Sequence, residues 1–479
     1  MSRKQSSGAG LSTTASVAEE PRRGGADRPR FWLAIGWSTA EPERIGETAE
    51  IPEGRELVLG REGTWHEGAM PALFAPRRQH ALVAGRPPSE RAISRRQLAL
   101  RVVDGALQVR RIGRGALHVG GQSVEEAVLT PGRSLVLGQA LVLLCLREPR
   151  GPAPGPEMLA FGKPDAFGFV GESAALRQLR QTLRLFADSE EHVLLTGESG
   201  TGKELAARML HGLSSRAERP LVSRNAATLP AGLIDGELFG NLANYPNPGT
   251  PEREGLIGAA DGSTLFLDEI GELSAELQAH LLRVLDAGGE YQRLGEDRVR
   301  RARFRLIAAT NRDVGELKHD LAARLPLRVT MPGLGARRGD IPLLLRHSLQ
   351  DMALGTPEVA RRFFDGDPRQ HPPRIAPGLV SSLLEREYRL GVRELRTLLW
   401  EAIAESPGDV ITCPARLEAG AEPREANEAS PDLSPDLLHR ALEAHQGNVT
   451  RAAAALGLSR HALHRLLKKH DIDPAPLRG

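Results

Sequence analysis

The stretch GESGTGKE, residues 197–204, decides the fold of the central part of this chain. It follows the apolar run of residues 192–196 and precedes the helix-favouring residues 205–213. A strand, a glycine-rich turn and a helix in this order predict a phosphate-binding loop, because glycines let backbone N–H groups and the helix N-terminus point at phosphate oxygens. Lys203 would add a positive charge for the β- and γ-phosphates. The alternative, a chance glycine turn, does not account for the flanking strand and helix.

A second pattern, LFLDEI, brings two carboxylates to the end of an apolar run at residues 264–267. Asp268 and Glu269 follow Lys203 by about 65 residues, the distance expected for the next strand but one. In such sites the first carboxylate serves Mg²⁺, directly or through water, and the second polarises the attacking water. A solvated acidic turn is the plainer alternative. Because Glu204 stands where Ser or Thr is usual, the ion would depend more on other ligands.

The composition is that of a soluble multidomain protein. A length of 479 residues suggests about three domains, and 63 basic residues against 61 acidic ones argue against a chain coated in positive charge. Its two cysteines, Cys145 and Cys413, exclude a disulfide framework and fit a cytoplasmic location. No run approaches 18 apolar residues, so no membrane partner is expected.

The pattern changes along the chain mark the domain boundaries. Short apolar runs at residues 56–59, 98–103, 107–112 and 134–146 predict an N-terminal all-β sandwich. Strands at residues 192–196, 263–267 and 304–309, alternating with helices, predict a parallel α/β sheet, followed by a mostly helical part. The predicted parts are a disordered tail (1–30), the β-sandwich (31–149), a linker (150–165), the α/β subdomain (166–335), its helical subdomain (336–412), a second linker (413–433) and an all-α unit (434–479).

The central part resembles the AAA+ P-loop ATPase domain of bacterial enhancer-binding proteins, the sigma-54-dependent transcription activators. The resemblance is carried by FVGES (169–173), GESGTGKE, ELFG (237–240), GSTLFLDEIGEL (262–273) and AATNRD (308–313), in that family's order and spacing. It implies ATP and Mg²⁺ as cofactors, hydrolysis of ATP to ADP and phosphate, and a hexameric ring that could rest as a dimer. The ATP-binding residues implied by the motifs are Gly197, Glu198, Ser199, Gly200, Thr201, Gly202, Lys203, Glu204, Thr310, Asn311 and Arg393.

The same resemblance assigns catalytic roles. Asp268 would serve Mg²⁺ and Glu269 the attacking water, while Asn225 would be the polar partner of Glu269. Arg324, in DLAARL, falls at the position of an arginine finger that reaches the γ-phosphate of a neighbouring subunit, and Arg393, in GVREL, matches a second nucleotide sensor. A lone arginine on a helix is usually a solvated charge, so these two assignments depend on the flanking motifs.

One motif departs from the family. After ELFG, the activators carry a loop reading GAFTGA that touches sigma-54, whereas here residues 244–249 read NYPNPG. The two prolines fix φ and remove backbone donors, which predicts a stiffer loop of different shape. Tyr245 could take over as an aromatic contact, or the loop could address another partner. Contact with the sigma-54 RNA polymerase holoenzyme therefore does not follow from the resemblance alone.

The C-terminal unit predicts a DNA-binding helix-turn-helix. Residues 437–470 carry six Lys or Arg against one Asp or Glu, and Gly457 and Ser459 would end one helix and begin the next. A small helical oligomerisation hairpin is the alternative, but the stretch resembles the Fis-type helix-turn-helix that ends many enhancer-binding proteins. The residues expected to contact DNA, at promoter or enhancer sites, are Arg460, His461, His464, Arg465, Lys468 and Lys469.

The N-terminal sandwich resembles a forkhead-associated (FHA) domain. LGREG (59–63), ISRRQ (93–97) and PGRSLVLG (131–138) match two phosphopeptide-binding loops and a late strand of that family. The resemblance implies that Arg61, Ser94 and Arg95 bind the phosphothreonine of a partner protein. Gln97 replaces the usual histidine, and a purely structural β-sandwich is the alternative.

These parts together predict a DNA-bound transcription regulator whose ATPase ring remodels or senses the transcription machinery and whose FHA-like domain receives a signal. Two alternatives stay open: an ATP-binding regulator on DNA that never engages sigma-54, and an FHA scaffold with a weak ATPase. The FHA scaffold is disfavoured by the intact residues Lys203, Asp268, Glu269 and Arg324. The regulator that does not engage sigma-54 is favoured by the sequence NYPNPG.

Overall fold

The computed structural model describes residues 29–61, 70–76, 85–149, 151, 160–228, 233–286, 288–419 and 467. The chain divides into two compact units, Met1–Thr412 and Cys413–Gly479. The first unit contains a β-sandwich, a parallel α/β sheet and a group of helices, in the order that the sequence predicts.

The N-terminal part of the first unit is a sandwich of two sheets. Its strands are β1 (Arg30–Ser38), β2 (Thr48–Ile51), β3 (Glu56–Leu59), β4 (Met70–Pro71), β5 (Leu98–Val103), β6 (Ala106–Arg111), β7 (Leu117–Val119), β8 (Gln122–Val124), β9 (Glu126–Leu129), β10 (Ser134–Leu137) and β11 (Leu141–Glu148). One sheet has the order β2-β1-β11-β10-β7-β8 and the other β4-β3-β5-β6-β9. Neighbouring strands are antiparallel, except for the parallel pair β3 and β4. The predicted all-β architecture is confirmed.

The first sheet is buried on both of its faces. Because side chains alternate along a strand, Leu33, Ile35 and Leu143 point into the core between the two sheets. The opposite face, called the outer face below, is also apolar and almost inaccessible to solvent. Its residues are Trp32, Ala34, Ser134, Val136, Val142, Leu144 and Leu146.

The central part of the unit is a parallel five-stranded sheet with the order β13-β14-β17-β12-β18. Its elements are α1 (Ala174–Ala187), β12 (Val193–Thr196), α2 (Lys203–Gly212), β13 (Val222–Asn225), α3 (Ile234–Phe239), α4 (Leu256–Ala259), β14 (Thr264–Asp268), α5 (Ala275–Asp286), β15 (Glu290–Tyr291), β16 (Arg300–Arg301), β17 (Arg305–Thr310), α6 (His319–Ala323) and β18 (Leu327–Thr330). β15 and β16 form a separate two-stranded ribbon. The carboxyl ends of β12, β14 and β17 meet at one edge, where a ligand site is expected in such sheets.

Helices follow the sheet in chain order and form the helical subdomain. They are α7 (Ile341–Gly355), α8 (Pro357–Phe363), α9 (Pro377–Glu385) and α10 (Gly391–Glu405). The turn Leu334–Asp340 connects them to β18. Asp340 at its end is fully buried and accepts hydrogen bonds from the backbone N–H groups of Glu172 (2.6 Å) and Ser173 (2.7 Å), which ties the helical subdomain to the entrance of α1.

The segments predicted as linkers are partly structured. In the first one, Asp165 is buried, forms a 2.8 Å ion pair with Arg180, and accepts hydrogen bonds from the N–H groups of Phe167 and Phe169. In the second unit, residues 415–419 of the predicted second linker form the short helix α11 (Ala415–Ala419). The first difference arises because local composition does not show that Asp165 finds buried partners. Among the described residues, no helix is both long and apolar enough to cross a membrane.

Candidate nucleotide-binding site

The phosphate loop (residues 197–204) connects β12 to α2, as the sequence predicts. Gly197, Gly200 and Gly202 have φ angles of 146°, 75° and 100°, a left-handed region that side chains disfavour. A Cβ atom on Gly200 would also lie 2.2 Å from the carbonyl oxygen of Leu390, so the loop and the helical subdomain approach each other too closely for a side chain. The glycines therefore serve both the shape of the loop and its contact with α10.

Lys203 is the first residue of α2 and is largely buried, with 7% of its surface exposed. Its Nζ atom donates to the carbonyl oxygens of Gly197 (2.9 Å) and Glu198 (3.3 Å) and lies 4.0 Å from Oε1 of Glu269. Thr201 donates from its hydroxyl to the Glu198 carbonyl, at 2.8 Å. The ammonium group is thus held inside the loop, next to the carboxylate predicted to act on water.

The two carboxylates stand at the carboxyl end of β14. Glu269 has a φ of 54°, which is strained for a residue with a side chain, and its Oε2 atom accepts a hydrogen bond from the backbone N–H of Asn311 at 3.2 Å. Asp268 accepts the N–H of Glu269 at 3.1 Å. Thr310 ends β17, the neighbour of β14, and Asn311 follows it, so the sheet brings these groups together.

Asn225, predicted as the polar partner of Glu269, contacts Asp268 in this structure. The amide Nδ2 of Asn225 points at Oδ2 of Asp268, at 3.4 Å. The reason is strand register, because Asn225 and Asp268 are direct neighbours across the β13–β14 pair. Glu269, one residue further along, has already left the strand.

Glu204 points away from the loop's interior. Its exposed carboxylate pairs with Arg208, one helical turn later, at 2.6 Å. Lys203 and Glu204 are adjacent on α2, yet only the lysine faces the carboxylates of β14. Arg324 lies directly after α6 and is exposed to solvent.

The helical subdomain reaches the phosphate loop through α10. Nη1 of Arg393 donates to the Ser199 hydroxyl at 3.2 Å, and the N–H of Val392 donates to the Gly200 carbonyl at 3.2 Å. Arg393, predicted as a second nucleotide sensor, thus contacts the phosphate loop. Gly391 has a φ of 55°, and a Cβ there would be 2.7 Å from the Gly200 oxygen.

Glu394 organises the turn before α10, a role that the sequence analysis missed. Its Oε2 accepts the N–H groups of Arg389 (2.8 Å) and Leu390 (3.1 Å), and its Oε1 accepts from Nε of Arg386 at 3.3 Å. Burial alone would raise the pKa of Glu394, but the two N–H groups and the Arg386 guanidinium hold it below its usual value. The available signal was an acidic residue in the first turn of a predicted helix.

The sandwich brings its predicted loop residues together. The Arg61 N–H donates to the Ser94 carbonyl at 3.3 Å, and the Ser94 hydroxyl accepts the N–H of Arg114 at 2.9 Å. Gln97 is fully buried, and its Oε1 accepts the N–H groups of Ser94 (3.0 Å) and Gly115 (3.2 Å). The arginines Arg61, Arg95 and Arg114 are exposed at this edge. Arg114 carried no sequence signal of its own.

The loop that replaces the family's GAFTGA sequence folds back on itself. Asn241 is buried, and its Nδ2 donates to the carbonyl oxygens of Leu242 (2.9 Å), Tyr245 (3.3 Å) and Pro251 (2.8 Å). Tyr245 is 43% exposed and covers Gly295, where a Cβ would lie 2.6 Å from its ring. The tyrosine is therefore packed on the turn between β15 and β16 along one side only.

The residues expected to contact DNA lie outside the described residues. They are Arg460, His461, His464, Arg465, Lys468 and Lys469.

The fold and the site define a P-loop NTPase domain of the AAA+ class. A family model described as the Sigma-54 interaction domain matches residues 169–329, and one described as Bacterial regulatory protein, Fis family, matches residues 431–470. The transcriptional regulatory protein ZraR of Salmonella typhimurium is 36% identical over 310 residues, which cover 62% of this chain and 67% of that protein. This chain belongs to the family of sigma-54-dependent transcriptional activators, with a central AAA+ domain and a C-terminal Fis-type helix-turn-helix.

Two further relatives extend the comparison. The Nif-specific regulatory protein of Rhizobium leguminosarum bv. trifolii is 40% identical over 249 residues, 50% of this chain and 67% of that protein. A solved structure of NtrX from Brucella abortus in complex with ATP is 31% identical, with a TM-score of 0.45, over 63% of this chain and 68% of that chain.

Proposed function

We propose that this protein hydrolyses ATP to ADP and phosphate and uses the reaction to activate transcription by the sigma-54 RNA polymerase holoenzyme. The observation that carries the proposal is the position of Lys203, 4.0 Å from Glu269, inside a glycine loop that Arg393 also contacts. A cation for the phosphates, a carboxylate for water and a second cation from the helical subdomain are the parts that phosphoryl transfer requires. The family of the chain supplies the partner.

Asp268 is proposed to hold Mg²⁺. Its carboxylate is a hard oxygen donor at the carboxyl end of β14, and Mg²⁺ in nucleotide sites is usually bound through one or two carboxylates together with phosphate oxygens. The residues present therefore fit the ion, which would neutralise phosphate charge when bound. Asn225, beside Asp268, would keep this carboxylate oriented.

Glu269 is proposed to orient and deprotonate the attacking water. The Asn311 N–H fixes its carboxylate from one side, and Lys203 balances its charge from another. Replacement of Glu269 by Gln keeps the shape but removes the base, so we expect ATP binding to persist while turnover falls by about 10²- to 10⁴-fold. Unchanged turnover in Glu269→Gln would exclude this role.

Lys203 provides the test of the site itself. Lys203→Ala should weaken ATP binding by roughly 10- to 100-fold, because a hydrogen bond to a charged group is worth about 1.5–3 kcal/mol. Titration with a fluorescent ATP analogue measures the affinity. Arg208→Ala, on the exposed side of the same helix, is the matched control and should bind normally. Equal affinities in the two variants would refute the site.

Arg324 is proposed to act on the nucleotide of a neighbouring subunit, in a hexameric ring. Its exposed position at the end of α6 supports this role. An arginine supplied in trans predicts a simple mixing result. Arg324→Ala and Lys203→Ala should each be inactive alone, whereas mixed rings should regain ATPase activity at the interfaces that pair an intact Arg324 with an intact Lys203. No recovery on mixing would argue against a shared site.

A second candidate function is that of an ATP-binding regulator on DNA that does not touch sigma-54. The compact loop held by Asn241 favours it, because the loop turns back on β15–β16. Capture of sigma-54 by the protein with ADP and a transition-state phosphate analogue separates the two functions. Capture supports the activator, and failure to capture sigma-54 with ATPase activity intact supports the second candidate.

The sandwich is proposed to bind a phosphothreonine protein as an FHA domain. The support is the proximity of Ser94, Arg61 and the additional Arg114, since guanidinium groups and a hydroxyl suit a phosphate dianion. A phosphothreonine peptide library should yield binders that Arg61→Ala loses, and binding that is equal for unphosphorylated peptides would contradict the assignment.

DNA binding is proposed to reside in residues 434–479. The match to the Fis family at residues 431–470 supports it. Deletion of residues 437–479 should abolish sequence-specific binding in a mobility-shift assay and leave ATP binding intact. Retained specificity would place the DNA contact elsewhere.

A further inference from the structure

The outer face of the sandwich is covered by the helical subdomain. α9 packs across β1, β10 and β11, and α7 packs against β1. Gly36 in β1 makes room for this contact, since a Cβ there would lie 2.6 Å from Cδ1 of Leu384. Leu343 of α7 approaches Gly46 in the same way, at 3.0 Å. An apolar sheet face with small residues opposite leucines is the construction of a packed interior and not of two tethered domains.

Polar contacts fix the register of this interface. Glu385, the last residue of α9, accepts hydrogen bonds from the N–H and the hydroxyl of Ser134, both at 2.8 Å, and pairs with Arg133 at 2.7 Å. The hydroxyls of Ser134 and Ser381 are 2.6 Å apart. Ser134 is fully buried and the side chain of Glu385 is 14% exposed. The carboxylate therefore anchors the sandwich in a contact that is largely shielded from solvent.

The anchored segment leads directly to the phosphate loop. Glu385 precedes Arg393 by eight residues. Nη1 of Arg338 donates to the carbonyl oxygens of Leu384, Glu385 and Arg386, at 3.2–3.3 Å, and so holds the end of α9. Arg386 then pairs with Glu394, which fixes the turn that presents Val392 and Arg393 to Gly200 and Ser199.

We propose that the N-terminal sandwich is a clamp on the helical subdomain, and that its docked position raises the affinity of the phosphate loop for ATP through Glu385 and the segment that ends at Arg393. The proposal rests on the proposed ATP site. A signal that moves the sandwich then changes nucleotide affinity without touching any ATP-binding residue. Because coupling between two sites is reciprocal, bound ATP must stabilise the docked sandwich by the same factor.

A reversible cross-link tests the clamp in the full-length chain. The double variant Ser134→Cys/Ser381→Cys places two thiols where the hydroxyls are 2.6 Å apart, so that the two side chains already meet across the interface. Cys413→Ser serves as the background. Cys145 can remain, because burial raises its pKa to about 12 and keeps it unreactive.

Two results are expected from the cross-linked protein. The oxidised form should bind the fluorescent ATP analogue at least as tightly as the parent, and ATP should speed formation of the disulfide. Glu385→Ala, which releases the anchor, should bind the analogue at least about fivefold more weakly, the lower end of couplings between sites. Glu358→Ala, at an exposed ion pair on α8, is the matched control and should bind like the parent.

The outcomes separate this inference from the proposed function. If the parent binds ATP, Lys203→Ala binds it roughly 10- to 100-fold more weakly, and Glu385→Ala binds like the parent, the clamp is refuted and the ATP site stands. If the parent itself fails to bind, the proposed function fails first. Should Glu385→Ala lose its fold by circular dichroism, the disulfide rate with and without ATP decides alone, and equal rates overturn the proposal.

Discussion

His192, immediately before β12, is a side chain whose protonation makes the stability of the sheet depend on pH. Its Nδ1 accepts the backbone N–H of Leu306 at 3.0 Å, so this nitrogen must be unprotonated in the folded state. Burial lowers the pKa of His192, and Arg305 lowers it further against the opposing charge of Glu191. The imidazole therefore acts as a hydrogen-bond acceptor immediately before β12, the strand that leads into the phosphate loop.

A pH dependence follows from this lowered pKa. The unfolded histidine gains a proton near its ordinary value of about 6.5 while the folded one does not. The contribution of His192 to stability is thus complete above that pH and is lost as the pH falls towards the lowered folded value. Urea unfolding at pH 7.5 and 5.5 should show a smaller acid loss for His192→Gln, whose side-chain oxygen can still accept the N–H. Identical losses would rule out this residue as a source.

Among the elements, the loop after α3 depends on one buried amide. Asn241 satisfies carbonyl oxygens at both ends of the loop, at Leu242 and Pro251. Asn241→Ala should destabilise the fold by about 1–3 kcal/mol, because three partly buried hydrogen bonds are lost together, and should open the loop to proteases. Asn247→Ala, on the exposed part of the same loop, is the control and should change neither. Equal protease resistance in both variants would mean that the prolines alone hold the loop.

The elements also show what the sequence could predict. The strand–loop–helix at residues 193–212 and the carboxylates at the carboxyl end of β14 were predictable, because short-range glycine and apolar patterns specify them. The partner of Asn225 was not, since it depends on register between strands that are about 40 residues apart. Arg114 was missed because nothing local marks an arginine that folding brings to Ser94.

The burial of the outer face was also beyond local reasoning. The run LVLLCL in β11 is apolar at consecutive positions, which indicates a strand buried on both faces. That run does not say which element provides the second cover. The cover comes from α9, more than 200 residues later in the chain, and tertiary packing at such separation leaves no periodic signal.

At the scale of the whole first unit, Asp340 joins the two halves of the ATPase domain. Its Oδ1 accepts two backbone N–H groups, and its Oδ2 accepts the Ser173 hydroxyl at 2.7 Å. Asp340→Ala should cost about 3–5 kcal/mol, because it leaves these donors without their acceptor and removes the negative charge that interacts with the buried Arg337. Asp340→Asn keeps one oxygen for the N–H groups and should lose much less.

Chemical unfolding measures this difference. A joint between subdomains predicts that Asp340→Ala lowers the unfolding midpoint and also weakens ATP binding, since Arg337 of the same turn donates to the Thr201 carbonyl of the phosphate loop at 3.4 Å. An Asp340→Ala protein with parental stability would show that the other contacts between α1 and the turn Leu334–Asp340 suffice.

The buried outer face limits how this chain can be recombined in evolution. Domains are often exchanged between proteins by a cut in the connector between them, which requires that the surfaces on both sides of the cut tolerate water. Here a cut in the connector after β11 would not separate two independent surfaces, because Gly36 and Gly46 pack closely against Leu384 and Leu343 of the helices that follow the connector. A successful exchange must carry α7 and α9 together with the sandwich. The exchangeable unit therefore consists of segments that are far apart in the sequence and in contact in the fold.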